Sequence, residues 1–257
     1  MTEALHDLGQ GFWTIRGDLR LGGVLNVGTQ AALVRLSDGG FAMLDSYPLQ
    51  GPMRDRVMQL TDQGQAVRAV LNLHPFHTLH CTSAASDFPN AKLYGSRRHW
   101  EKHPDLAWQP EPVESREVAE IFADDLSFSM PAGIDYISQN ESVHAGSLLA
   151  WHGASRTLHV DDTINLIPVP RLLKRFFPKP RVFLHPTTSK ALLPETGAVR
   201  DLRNWVQELA AQCHDLRHLC AAHSGLRSFQ PGEFSQELLA AFHRIEDKLN
   251  RTEVNRH

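Results

Sequence analysis

Residues 66–81 read AVRAVLNLHPFHTLHC, an apolar run ending in three histidines, His74, His77 and His80. The run is short, rich in Val and Leu and without a 3.6-residue period, which predicts a buried strand over 66–73. A dense histidine cluster directly past a buried strand is costly unless each imidazole has a partner. A metal ion is one such partner, since imidazole is the commonest metal ligand. Hydrogen-bonded or solvated loop histidines are the alternative. Strand ends in α/β folds are where polar side chains collect, because the loops there are free to vary.

Upstream, residues 12–16, 26–36 and 40–44 read as strands. Asp38-Gly39 between the last two is a hairpin signal. Asp45-Ser46-Tyr47-Pro48 is a polar stop. Residues 51–64 predict a helix, with Met53, Val57 and Leu60 at helical spacing and Gly64 as C-cap. Downstream, 97–102 reads as a short helix, and 134–137, 142–151 and 157–160 as strands. Residues 198–211 and 231–249 read as helices and 218–222 as a late strand. No repeat or linker interrupts the chain, so one layered α/β domain over 1–257 is expected.

Three later strand ends also carry candidates: His144, the pair Asp161-Asp162 after TLHV, and His223 after LCAA. Two adjacent carboxylates can bridge a cation or cap the next element, and His223 alone is an ordinary strand-end histidine. Fifteen histidines in 257 residues make imidazole the outlier of the composition. His99, His103, His214, His218 and His243 fall on helical or polar segments and are expected at the surface. His152, His159 and His185 are ambiguous. Trp100, Trp108 and Trp151 line either a pocket or the core.

Hydrophobic residues make up 42% and charged residues 21%, ordinary for a core-forming chain. A net charge of -3 gives no basic footprint for phosphate-backbone binding, so no nucleic-acid partner is expected. The one basic cluster is Arg171, Lys174, Arg175, Lys179 and Arg181 among Leu172, Leu173, Phe176 and Phe177. It reads as an amphipathic surface segment, or as a lid or anionic-substrate rim. It lies in the long Pro-rich stretch 164–190, which has no period, and long connections are often functional. Cys81, Cys213 and Cys220 form no CxxC pair and no disulfide framework, Cys81 reading as a small buried residue. With no signal-peptide pattern and no run near the roughly 18 apolar residues of a span, a cytoplasmic protein without a membrane partner is expected. No G-x-S-x-G elbow or P-loop supports serine catalysis or nucleotide hydrolysis.

Taken together, the pieces resemble the metallo-β-lactamase superfamily. AALVRLSDGGFAMLDSYP resembles its first hairpin, and VRAVLNLHPFHTLHC its T-H-x-H-x-D-H motif. VHAGSLLAWHGASRTLHVDDTI resembles its Gly-Ser hairpin followed by an aspartate, and CAAHSG its final histidine. The resemblance spans about residues 11–228 and implies a four-layer αββα sandwich. The motif is eroded, as in a degenerate branch of the superfamily from which no activity transfers. Pro75 stands at the first histidine and Leu79 at the aspartate, while His77 and His80 keep the other two positions. Asp162 matches the bridging aspartate, His223 the last histidine and His144 the hairpin histidine. His74 lies one position early, which in an extended segment turns it to the opposite face.

The resemblance implies one metal rather than two: His80, Asp162 and His223 as ligands, His77 as a fourth ligand or proton carrier, and His144 as a further metal-binding residue. Three protein ligands and an open position suit catalytic zinc, and two histidines with a carboxylate also suit ferrous iron. Leu79 cannot accept a proton, so Asp161 or His74 is expected to serve as base. The expected function is metal-dependent hydrolysis of a small ester, thioester or lactone. The alternatives are a non-catalytic binding or regulatory relative that has lost its metals, and an iron-dependent oxidoreductase.

Overall fold

A computed structural model describes residues 4–18, 20–21, 25–26, 28–167 and 179–256. The described chain forms two compact units, one of Met1–Phe128 with Ala150–Ser155, the other of Ser129–Leu149 with Arg156–His257. The middle of the Pro-rich stretch, 168–178, with Arg171, Lys174 and Arg175 of the basic cluster, lies outside the described residues.

The first unit begins with β1 (Ala4–Gly9), β2 (Phe12–Gly17), a two-residue pair β3 (Arg20–Leu21) and β4 (Leu25–Asn26), β5 (Thr29–Arg35) and β6 (Phe41–Leu44). The turn between β5 and β6 is the one that Asp-Gly predicts. Leu36 N donates to Gly40 O at 2.8 Å, Asp38 Oδ1 accepts from Gly40 N at 2.7 Å, and Gly39 takes the left-handed φ of 85° that favours glycine. Then come α1 (Gly51–Leu60), β7 (Val67–Leu71), α2 (Cys81–Asp87), β8 (Lys92–Tyr94), α3 (Arg97–Lys102), α4 (Arg116–Ile121), β9 (Ser127–Ser129) and β10 (Leu149–His152). Six strands make one sheet in the order β1-β2-β5-β6-β7-β8, antiparallel as far as β6 and parallel from β6 to β8. Parallel neighbours need a crossover, and α1 supplies the first. Its Met53 and Val57 pack with Ile15, Leu33, Met43 and Val70 in the core. The helix stops at Leu60 rather than Gly64, because Asp62, Gln63 and Gly64 all take positive φ.

The second unit holds β11 (Thr157–Val160), β12 (Ile164–Ile167), β13 (Arg181–Leu184), α5 (Thr188–Ala191), α6 (Ala198–Gln212), β14 (His218–Ala221), β15 (Gly225–Ser228) and α7 (Glu233–Val254). β11 runs parallel to β14 in a register that sets Val160 beside Ala221. β14 pairs antiparallel with β15, and β12 with β13. α6 packs against α7, burying Leu202, Val206 and Leu209 on one helix and Leu238 and Phe242 on the other. Arg227, from β15, is buried beneath α7. Its Nη2 donates to Glu237 Oε1 at 2.6 Å and Glu233 Oε1 at 2.8 Å, its Nη1 also bonds Pro180 O, and the guanidinium lies 4.1 Å from the Phe229 ring centroid.

Several expectations change. Residues 134–137 are not a strand: Ile134 makes one isolated bridge, to Leu192. Of 142–151 only the end, within β10, is extended. His99 is fully buried rather than at the surface: it closes a capping box at the start of α3, with its Nδ1 3.0 Å from Ser96 N. Among the described residues no helix is long and apolar enough to cross a membrane.

Candidate metal centre

In the second unit the parallel register of β11 and β14 brings two strand ends level. Ala222 N donates to Val160 O at 3.1 Å, so the residues that follow, Asp161-Asp162 on one strand and His223 on the other, emerge side by side. His223 Nε2 lies 3.3 Å from Asp162 Oδ1. On the other carboxylate oxygen, His144 Nδ1 lies 2.8 Å from Oδ2. A carboxylate oxygen accepts, so His144 donates its Nδ1–H here. Asp162 is buried, whereas His144 and His223 are partly exposed. Asp161 is buried as well.

His144 sits in an irregular segment, and Thr163 holds that segment in place. The buried Thr163 hydroxyl donates to Ala145 O at 2.9 Å and accepts from Ser147 N at 2.9 Å, while its carbonyl accepts from His185 N at 3.2 Å. Gly146 permits the approach: a Cβ there would stand 2.8 Å from Asp135 O and 3.0 Å from Tyr136 Cα. The bond to His185 brings the end of β13 to the same level. The His185 ring centroid lies 5.1 Å from that of His144. Sequence reasoning left His185 ambiguous and passed over Thr163. The one signal for Thr163 was its place directly after the Asp pair.

In the first unit the histidine loop follows β7. Asp45, at the end of β6 with φ 59°, accepts from Leu73 N at 2.8 Å and anchors the chain just before the cluster. Asn72 is buried, accepting from Ser46 Oγ at 2.6 Å and donating to Tyr94 O at 3.1 Å. Residues 74–80 then form turns instead of an extended segment, with His77 N bonded to His74 O at 3.0 Å. The offset of His74 therefore does not turn it away. The His74 and His77 rings stack at 4.2 Å with 18° between planes. Phe76 N–H donates to His74 Nδ1 at 3.0 Å, so the neutral His74 ring carries its proton at Nε2. His103 Nε2 donates to Thr78 O at 2.6 Å and steadies the loop from α3's end.

His80 is the N-cap of α2, half-buried, with its ring 6.1 Å from that of Tyr47. Burial lowers its pKa, and His77 adds a smaller push in the same direction, so the ring is neutral at pH 7 with a lone pair to offer. Cys81, next in the chain, is buried, and desolvation pushes its thiol up to about 12. Leu79, at the place the resemblance gives to the motif aspartate, is 69% exposed.

Solved structures superpose on nearly the whole chain. A metallo-β-lactamase from Erythrobacter litoralis, with β-mercaptoethanol in its active site, matches with a TM-score of 0.61 at 15% identity, over 93% of this chain and 96% of its own. The fold is that of the metallo-β-lactamases. The enzyme from Hirschia baltica matches with a TM-score of 0.59 at 12% identity, over 95% and 97% of the two chains. The metallo-β-lactamase FIM-1 from Pseudomonas aeruginosa, solved in its mono-zinc form, matches with a TM-score of 0.59 at 10% identity, over 96% and 97%. No protein-family model and no curated protein matches the sequence. Within the metallo-β-lactamase fold, the resemblance assigns Asp162, His144 and His223 to the metal region, and these three meet in the second unit.

Proposed function

We propose that the chain is a mononuclear metal-dependent hydrolase acting on an ester, thioester or lactone. The observation that carries this is Asp162, a buried carboxylate with an imidazole nitrogen against each oxygen. A carboxylate oxygen and an imidazole nitrogen are donors that zinc and ferrous iron accept, which is the test of fit. Asp162 and His223, both in the second unit, are the proposed ligands here. Bound there, a metal ion supplies Lewis acidity toward an acyl oxygen and a lowered pKa for water.

The side chains do the rest. His144 donates through Nδ1–H to Asp162 and fixes the carboxylate's orientation, as outer-shell partners of metal ligands do. Of the groups expected to move protons, His74 carries Nε2–H and is a donor in that tautomer. That leaves Asp161 as the acceptor in the second unit. In the net reaction, water adds to the acyl carbon and the carbon–oxygen or carbon–sulfur bond breaks. The acid product keeps one water oxygen, and the alcohol or thiol leaves with a proton.

The test loads the protein with zinc, manganese or ferrous iron and presents p-nitrophenyl acetate, an acyl thioester and a γ-lactone, with Asp162→Ala beside it. Metal-dependent turnover of one class that Asp162→Ala abolishes supports the function. Metal uptake without turnover of any class removes the hydrolase and favours a binding protein of the same fold.

A further inference from the structure

We propose that the first unit carries a binding site of its own, for a small amphipathic monocarboxylate, in the cavity beside β8, with Lys92 and Tyr94 as the carboxylate's contacts. The site belongs to the first unit alone and does not depend on the function proposed above.

The cavity holds about 450 Å3, room for a small ligand. Val67 and Ala69 line it from the start of β7, the end of that strand opposite the histidine loop. Lys92 and Tyr94 flank Leu93 on β8, so both face the same side of the sheet. Ile121, at the end of α4, and Phe122 complete an apolar wall. Ile121 is 58% exposed, and the Phe122 ring lies edge-on to Tyr94 with centroids 6.1 Å apart.

Tyr94 is the residue that marks the cavity as a site. It is only 2% exposed. Its carbonyl accepts from Asn72 N at 3.0 Å and from Asn72 Nδ2 at 3.1 Å, which fixes it at the end of β8. Its hydroxyl makes no hydrogen bond to any described residue. A buried hydroxyl without a partner is costly. The hydroxyl is not sealed off as Thr14 Oγ1 is, so the small exposed area of Tyr94 opens where the residue lines a cavity. Lys92, two residues earlier, is exposed and has no ion pair among the described residues.

The remaining charges on the wall are engaged or solvated. Arg68 Nε lies 3.4 Å from Asp38 Oδ2, Asp125 Oδ1 accepts from Ser37 N at 3.0 Å, and Asp124 is exposed. An unpaired ammonium and an unpartnered phenol on one strand face suit an acceptor with a single negative charge. Burial raises the Tyr94 pKa and the Glu111 carboxylate adds to it, so the phenol keeps its proton at pH 7 and donates. Hydrogen bonds to charged groups are the stronger ones. Lys92, Tyr94 and Ile121 also line a second cavity, together with Glu111, Glu117 and Glu120. The ligand's apolar body therefore packs on the side of Ala69, Ile121 and Phe122, away from those three carboxylates.

The experiment titrates 3-phenylpropionate by calorimetry into the protein stripped of metal, with 3-phenylpropylamine as its cationic counterpart. The expected result is binding of the carboxylate, weakened about tenfold in Tyr94→Phe and about threefold in Lys92→Met. Because the Tyr94 hydroxyl has no partner in the protein, Tyr94→Phe should leave the urea midpoint unchanged or raised, which separates lost binding from lost folding. No binding of 3-phenylpropionate overturns the proposal, as does unchanged affinity in either variant. Tighter binding of the amine than of the carboxylate overturns the ligand class. A lowered urea midpoint in Tyr94→Phe gives the hydroxyl a structural role and overturns the proposal as well. None of these readouts involves the metal, so failure of the hydrolase reading and failure of this one are distinguishable.

Discussion

His144 Nδ1 lies 2.8 Å from Asp162 Oδ2, two residues 18 positions apart joined across the ends of different segments. The contact sets a hierarchy between the two. Asp162→Ala removes a ligand and is expected to abolish stoichiometric metal binding. His144→Ala removes the group that orients the ligand and is expected to weaken binding about 10- to 100-fold. Competition with a chromophoric chelator measures both. Equal losses in the two variants would place His144 among the ligands.

Thr163 ties the His144 segment to the strand end. Thr163→Val keeps the volume but leaves Ala145 O and Ser147 N without their buried partner. The expected cost is about 2 kcal/mol, seen as a lower urea midpoint with an unchanged slope. Metal affinity should fall with it, because His144 loses its support. Unchanged stability and affinity would mean that the segment is held by other contacts.

Arg227 is a buried cation between Glu233 and Glu237. Arg227→Met removes the charge and leaves two carboxylates facing each other, 24% and 29% exposed. Their partial exposure limits the penalty to about 2–3 kcal/mol, below the full cost of breaking a buried pair. Thermal or urea unfolding reads it, and the metal stoichiometry should not move.

Burial, with smaller pushes from the His74 and His77 imidazoles, drives the His99 pKa down to about 3, against 6.5 for an ordinary histidine. Between those two values the unfolded chain binds the extra proton. Stability contributed by His99 is therefore complete above pH 6.5 and is lost progressively as pH falls toward 3. The limiting slope is about 1.4 kcal/mol per pH unit. His99→Gln can keep the capping box, since Gln is a usual residue at that position, and should flatten the acid limb in urea titrations from pH 7 to 4. An acid limb of the same steepness in the variant would assign it to other groups.

The three cysteines are buried, and desolvation pushes the Cys81 and Cys213 thiols up to about 12. Thiolate is the reactive form. Native protein should therefore show no fast reaction with a disulfide reagent, and all three thiols should react once it is unfolded in urea. A thiol that reacts at once in the native state would contradict the burial.

The sequence carried the strand ends better than the segments between them. TLHV and LCAA are short apolar runs ending in charged or imidazole residues, so β11, β14 and the placement of Asp162 and His223 could be read directly. Residues 142–148 could not. Their alternation mimics a strand, but the close approach of Gly146 to Asp135 and Tyr136 and the Thr163 bonds hold them irregular. His99 was assigned to the surface because nothing local marks a histidine that closes a capping box. The offset of His74 was misleading for a similar reason: the face rule applies to extended chain, and this loop turns. His185 had no motif around it, and its ring is held by Thr187, a contact that only coordinates reveal.

Metal content of the purified protein, by elemental mass spectrometry after incubation with zinc, manganese or ferrous iron, tests the central claim most directly. His223→Ala and Asp162→Ala are measured beside the wild type. The account predicts one ion per chain in wild type and loss of it in both variants. A wild-type chain that takes up no metal under any of these conditions, or an ion retained in Asp162→Ala, would contradict it.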